Sequence, residues 1–133
     1  MSALSNYLEN LIVNNVLGQA AMPAIPNVYI ALFTAGPTDS GGGTEASGTG
    51  YARVNLTNNT TNFPTATTGL KQNATVITFP TAGASWGTIT HFGIYDASTS
   101  GNLLIHGALD SAKAVGTGDA PSLAIGALSV QLD

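Results

Sequence analysis

TITHFGIYD (88–96), ASTSG (97–101) and NLLIHGAL (102–109) follow one another without a break and carry the strongest structural signal in this sequence. The two outer runs are rich in β-branched, aromatic and aliphatic residues, and the short polar run between them ends in glycine. Two β-prone runs joined by a short loop containing glycine are typical of a β-hairpin. We therefore expect an antiparallel pair of strands here, in a mainly β protein.

Further β-prone runs flank this hairpin. VYIALF (28–33) is continuously apolar, as expected for a strand covered on both faces. YARVNLT (51–57) and ATVITF (74–79) predict shorter strands, while SLAIGALSVQLD (122–133) changes its apolar phase at Gly126, which predicts a β-bulge. Together the pattern predicts a compact antiparallel β-sandwich or jelly-roll-like barrel of six to eight strands.

The N-terminal segment predicts a single α-helix over residues 1–18. Its apolar residues follow a 3.6-residue period, at Leu4, Leu8, Leu11, Ile12 and Val16. Ser2 stands at the N-cap position and Gly18 at the C-terminal end. The apolar face covers the protein's own core, packs against the same helix of neighbouring copies, or packs against a capsid, and the first is favoured because most amphipathic helices cover their own core. We expect one domain, 1–133, with the β-sandwich at 27–133.

Two polar connections separate the predicted strands. GPTDSGGGTEASGTG (36–50) and NNTTNFPTATTG (58–69) hold few large apolar residues, so we expect exposed loops, the first of them mobile. Hydroxyls and amides in these loops are suited to sugar binding, for which Tyr51 and Phe63 are the nearby aromatic residues. Tyr51 and Trp86 fit either a core or a subunit contact.

Charge is scarce throughout the chain. Charged residues make up 8 % of the sequence, and the only basic ones are Arg53, Lys71 and Lys113. A net charge of −4 without a basic cluster argues against nucleic-acid binding. The absence of cysteine excludes disulfides, and no apolar run reaches the roughly 18 residues of a membrane span. A surface of Thr, Ser, Asn and Gly with little charge repulsion is suited to packing in an assembly.

Candidate metal ligands are few. His91 and His106 are the only histidines and would be near neighbours across the predicted hairpin, with Asp96 or Asp110 as further ligands. The favoured interpretation is two polar residues on a half-exposed ribbon. Asp39 and Glu45 flank the glycines of the 36–50 loop, but two carboxylates at this spacing match no EF-hand. We therefore assign no metal or cofactor site.

Catalytic patterns are also missing. The glycines of DSGGGTE (39–45) lack the lysine of a phosphate-binding loop, and no GxSxG nucleophile elbow occurs. The seven acidic residues fall in the predicted helix, loops, turns and terminus, so paired carboxylates in a cleft are not indicated. We expect no enzymatic activity and assign no catalytic residues.

An ordered series of motifs resembles a family of small tailed-bacteriophage virion proteins, labelled tail-fibre-like or structural. The motifs are SALSNYLENLIVNNVL, NVYIALFTAGPTD, GTEASGTGYARV, ITFPTAGASWGTITHFGIYDA, GNLLIHGAL and ALSVQLD. The resemblance implies a virion component without catalysis, made in the bacterial host cytoplasm.

Two positions in the particle are compatible with this resemblance. A compact domain without a shaft repeat favours a capsid decoration (cement) protein that binds the outer shell and stabilises it. The alternative is a tail or tail-fibre-associated structural module, one that contacts the host surface. In either case the expected partners are copies of the chain itself, as trimer or dimer, and the major capsid protein or another virion protein.

Overall fold

The computed structural model describes residues 2–132, so Met1 and Asp133, which the predicted helix and C-terminal strand include, lie outside the described residues. Ten strands and one helix follow in chain order: β1 (Ser2–Leu4), α1 (Asn6–Val16), β2 (Asn27–Ala35), β3 (Thr44–Glu45), β4 (Val54–Thr57), β5 (Leu70–Gln72), β6 (Ile77–Thr78), β7 (Gly87–Tyr95), β8 (Leu103–Val115), β9 (Ser122–Leu123) and β10 (Ser129–Gln131).

The predicted hairpin is confirmed as the β7–β8 pair, which forms the centre of a six-stranded antiparallel sheet. Its strand order is β1–β8–β7–β2–β3, and β4 also pairs with β2. The turn is closed by Asp96, whose carboxylate accepts hydrogen bonds from the backbone and the side-chain amide of Asn102 at 2.7 and 2.8 Å. Gly101 follows with a φ of +75°, a conformation that glycine adopts without a steric penalty.

The hydrophobic core lies on one face of this sheet. Alternate residues of the central strands point into it, including Ile30 and Leu32 of β2 and Phe92 and Ile94 of β7. Two small sheets, β6–β9 and β5–β10, lie outside the large sheet, and Ile77 of β6 is fully buried in the core. The mainly β class with one helix is confirmed, and residues 2–132 form no closed barrel.

Strand β2 is covered on both faces, as its continuous apolar run predicts. Ile30 and Leu32 lie in the core, while Ala31 and Phe33 are buried on the opposite face. Phe33 stacks there with Tyr95 of β7 at a centroid distance of 6.4 Å. The sheet therefore has a buried layer on each face: the large hydrophobic core on one, and a smaller layer that contains Phe33 and Tyr95 on the other.

The predicted start of the helix is wrong. Residues Ser2–Leu4 form β1, which pairs with β8, because β8 offers an unpaired edge to which an extended segment can add backbone hydrogen bonds. Ser5, not Ser2, is the N-cap: its hydroxyl oxygen accepts from the Leu8 backbone N–H at 3.2 Å. The same hydroxyl donates to the carbonyl of Leu103 and fixes α1 against β8.

The predicted β-bulge at Gly126 is also wrong. The C-terminal run divides into β9 and β10, which belong to different sheets, and Gly126 lies in the turn between them with a φ of +79°. The buried Asn73 organises this turn: its amide donates to Ala124 O at 2.9 Å and accepts from Leu128 N at 3.0 Å. These long-range bonds explain the change of apolar phase.

The 36–50 loop is only partly exposed, contrary to expectation. It contains β3, which pairs with the end of β2, and it buries Ala46. Further along, Thr49 O accepts a hydrogen bond from the Trp86 indole at 3.1 Å. Trp86 is itself buried and makes an edge-on contact with Tyr51, so this pair is part of the fold's interior.

Candidate functional site

An open groove of about 350 Å³ with an almost entirely apolar lining lies between α1 and the C-terminal strand β10. Leu8 and Ile12 line it from α1, and Val130 and Leu132 line it from the C-terminal side. Phe63 also lines it and belongs to the core cluster. We call this surface the apolar groove.

The apolar groove exists because α1 rests on the sheet without being enclosed by it. None of its residues is buried, and Leu8 alone among them packs against the core. Beyond it, Val13, Val16 and Leu17 are 54, 69 and 79 % exposed. Apolar side chains this exposed on one segment are typical of an interaction surface.

Charge is nearly absent around the apolar groove. Glu9 is the only charged residue among positions 1–38, and none occurs at 120–132. Lys71 of β5 is the one charged residue that lines the groove. A partner on this surface therefore has few charges to desolvate.

The other face of the sheet carries a polar cluster centred on Arg53. The Arg53 guanidinium makes a bidentate ion pair with Glu45, with both nitrogen–oxygen distances at 2.8 Å. It also donates to the carbonyls of Ala97 and Ser100 in the β7–β8 turn, and it lies 3.7 Å from the ring centroid of Tyr95. This cluster joins the β3 region to the hairpin turn.

Tyr51 completes the polar cluster. Its hydroxyl donates to Glu45 at 2.8 Å and accepts from the Leu32 backbone N–H at 3.1 Å. Burial and the Glu45 hydrogen bond both raise the pKa of Tyr51 well above its ordinary value. Burial raises the pKa of Glu45 as well, but the hydrogen bonds from Arg53 and Tyr51 outweigh it, so the pKa of Glu45 is lowered. The cluster is thus held in a single charge state around neutral pH.

The two histidines have separate partners. His91 lies opposite Ala108 in the β7–β8 register, whereas His106 lies opposite Gly93. His91 Nδ1 contacts the Thr90 hydroxyl at 2.8 Å, and His106 Nε2 contacts Asp39 Oδ1 at 2.9 Å. Among residues 2–132, no three side chains of His, Cys, Asp or Glu come together as a metal site would require.

The predicted loop carboxylates and aromatic residues also separate. Asp39 contacts His106 and Glu45 binds Arg53, so the two acids do not converge on a common site. Tyr51 and Phe63 are both part of the interior rather than platforms for a sugar ring. Two other aromatic residues, Tyr7 and Tyr95, line a groove of about 520 Å³ together with Asp39 of the 36–50 loop.

Two features of the site have no local signal in the sequence. The Arg53–Glu45 pair and the Asn73 hydrogen bonds join residues from different strands and loops, and no spacing rule connects them.

Within residues 2–132, no helix is long and apolar enough to cross a membrane.

A comparison with family models gives one informative result. The model described as "Podophage GP4 fiber I protein gp80" matches residues 3–131, nearly the whole chain. No curated protein matches the sequence of this chain.

Proposed function

Because the chain belongs to the podophage GP4 fiber I protein gp80 family, a family of phage fibre-type virion structural proteins, we propose that it is a structural module of the tail fibre. It acts through contact surfaces and not through catalysis. Its partners are copies of itself and neighbouring virion proteins, and it is made in the cytoplasm of the bacterial host before assembly.

The apolar groove is the observation that supports this proposal most directly. It combines an open concave surface with the exposed Val13 and Val16 on α1 and almost no charge. A free monomer would expose this surface to water, whereas an assembled particle covers it. The groove is therefore the module's assembly surface.

Capsid decoration, the reading that the compact fold first favours, has no specific support. The family description names a fibre protein, and it does so for a chain without any shaft repeat. A compact unit of this kind fits a fibre as a joint or an attached domain, with the extended shaft supplied by another chain. The tail position is accordingly our proposal.

Copy number tests the position in the particle. Purified virions are digested, and peptides of this chain are quantified against peptides of the major capsid protein by mass spectrometry with isotope-labelled standards. A tail-fibre module is expected at a small fraction of the capsid subunit count. A ratio near one copy per capsid subunit would overturn the tail assignment and support a cement role.

A further inference from the structure

The groove that contains Tyr7 and Tyr95 brings four segments of the chain together. It is lined by residues 5–7 at the start of α1, the turn at 39–42, Tyr95 of β7 and residues 101–103, and we call it the tyrosine groove. Its volume of about 520 Å³ falls within the range of roughly 300–1,000 Å³ that is typical of small-molecule sites. Hydroxyl, amide and carboxylate groups lie in it beside two aromatic rings, so its chemistry differs from that of the apolar groove.

Hydrogen bonds between these segments hold the walls of the tyrosine groove in place. The Asn6 backbone N–H donates to the carbonyl of Asp39 at 2.9 Å and joins the turn to α1. The Ser5 hydroxyl donates to the carbonyl of Leu103 and joins α1 to β8. A groove that is already fixed in this way loses little conformational freedom when a ligand binds.

The two tyrosine rings have different surroundings. Tyr7 is 36 % exposed and lies outside the core cluster, so its ring is accessible to a ligand. Tyr95 is held by the Arg53 guanidinium, 3.7 Å from its ring centroid, and by the stacked ring of Phe33. Tyr95 is therefore a fixed wall, and Tyr7 is the ring against which an apolar surface can pack.

The polar groups of the tyrosine groove include both donors and acceptors. Asn6 and Ser40 are exposed and offer an amide and a hydroxyl. Asp39 Oδ1 contacts His106 Nε2 at 2.9 Å, which orients the carboxylate, and the Asp39 side chain remains 55 % exposed. It can therefore accept further hydrogen bonds from a ligand. An accessible aromatic ring beside such groups matches a molecule that has an apolar face and many hydroxyls, which is the chemistry of a sugar ring.

The charges at the tyrosine groove favour a neutral ligand. Asp39 is the one charged residue among the described residues that line it, and it repels an anion. Arg53 cannot bind an anion instead, because its side chain is only 7 % exposed and its donors are taken by Glu45 and the β7–β8 turn. Arg53 also occupies the position over the Tyr95 ring that a cationic ligand would take.

We propose that the tyrosine groove binds a neutral saccharide. The Tyr7 ring packs against the apolar face of one sugar unit, Asp39 accepts hydrogen bonds from its hydroxyls, and Asn6 and Ser40 supply donors. This role goes beyond the proposed function, which assigns contacts between proteins only, and it does not depend on the position of the chain in the particle.

Titration of the isotope-labelled full-length protein tests this proposal. The probes are the methyl glycosides of glucose, galactose, mannose and N-acetylglucosamine, and binding is followed by the amide chemical shifts in NMR spectra. At least one glycoside should shift the amides of residues 6–7, 39–42 and 101–103 and saturate with a dissociation constant on the order of 1 mM. Glucuronic acid and choline serve as anionic and cationic probes and should bind more weakly. The absence of a saturable shift at these residues with all four glycosides would overturn the proposal, as would tighter binding of either charged probe.

Variants of Tyr7 test the role of its ring. Y7A should bind the glycoside about tenfold or more weakly, whereas Y7F keeps the ring and should bind within about threefold of the wild type. V13A, which shortens an exposed side chain of the same helix outside the groove, is the matched control and should bind like the wild type. Thermal unfolding of each variant shows whether the fold is intact.

Two results with these variants would contradict the site. Wild-type affinity in Y7A would show that the sugar does not bind at Tyr7, and a loss in Y7F as large as in Y7A would exclude packing on the ring as the source of affinity. Neither experiment measures the copy number in the virion, so the two proposals fail separately.

Discussion

The Arg53 guanidinium donates hydrogen bonds to both carboxylate oxygens of Glu45. Its remaining nitrogen donates to the carbonyls of Ala97 and Ser100 in the β7–β8 turn. The Arg53 side chain is only 7 % exposed. One residue thus connects the β3 region, eight residues before it, to the β7–β8 turn, 44 to 47 residues after it. Arg53 and Glu45, two of the few charged residues in this protein, therefore have a specific structural role.

Removing the Arg53 guanidinium should destabilise the fold. In R53M the Glu45 carboxylate loses its bidentate partner while staying half-buried, and the two turn carbonyls lose their donor. We expect the free energy of unfolding in urea to fall by about 2–3 kcal/mol. K113M removes an exposed cation and should change it by less than about 0.5 kcal/mol; equal losses in the two variants would contradict the assigned role of Arg53.

Stability should also depend on pH through Glu45. Its pKa is lowered in the folded state from an ordinary value of 4.5, so its contribution is fully present above that pH. The contribution is lost as the pH falls from 4.5 through the lower folded-state value. E45Q should therefore show a smaller drop in stability over this range than the wild type, when urea unfolding is compared at several pH values.

D110N provides the control for this pH dependence. Asp110 is exposed and takes part in no ion pair within residues 2–132. Its variant should follow the wild-type curve. A wild-type slope in E45Q would show that Glu45 is not the group responsible.

The absence of a side chain at Gly93 allows Phe33 and Leu103 to pack closely against the backbone of β7. A methyl group at this position would lie 2.8 Å from the Phe33 ring and 3.2 Å from Leu103. G93A is expected to cost about 1–3 kcal/mol through overpacking, measured by thermal or urea unfolding. At Gly116 the nearest atom would be 3.7 Å away, so G116A should be nearly neutral. Comparable losses would argue against crowding as the cause.

Asn73 holds the C-terminal segment in place. N73A would leave the carbonyls of Thr75 and Ala124 and the N–H of Leu128 without their side-chain partner in a buried region. We expect a loss of about 2–3 kcal/mol, together with faster amide hydrogen exchange at residues 124–128. N10A, at an exposed position of α1, should cause neither change.

The hairpin and β2 were predictable because their signals are local. Each strand carries its own β-prone composition, and the turn between β7 and β8 is short and contains glycine. The start of α1 was not predictable in this way, since Leu4 fits the helical period equally well. Only the pairing of Ser2–Leu4 with β8, about 100 residues later in the chain, decides between strand and helix.

The same reasoning explains what was missed in the candidate site. Asn73 and Arg53 act through partners that are brought together by the fold, at separations such as 51 residues for Asn73 and Ala124. The apolar face of α1 was visible in the sequence, but its incomplete coverage was not. Exposure depends on where β5 and β10 end, which no local pattern specifies.

Electron cryo-microscopy of the intact virion tests the central claim most directly. We predict density that fits this fold in the tail fibre, with the apolar groove covered by a neighbouring protein of the particle. Density for the fold repeated over the capsid shell, and absent from the fibres, would contradict the account.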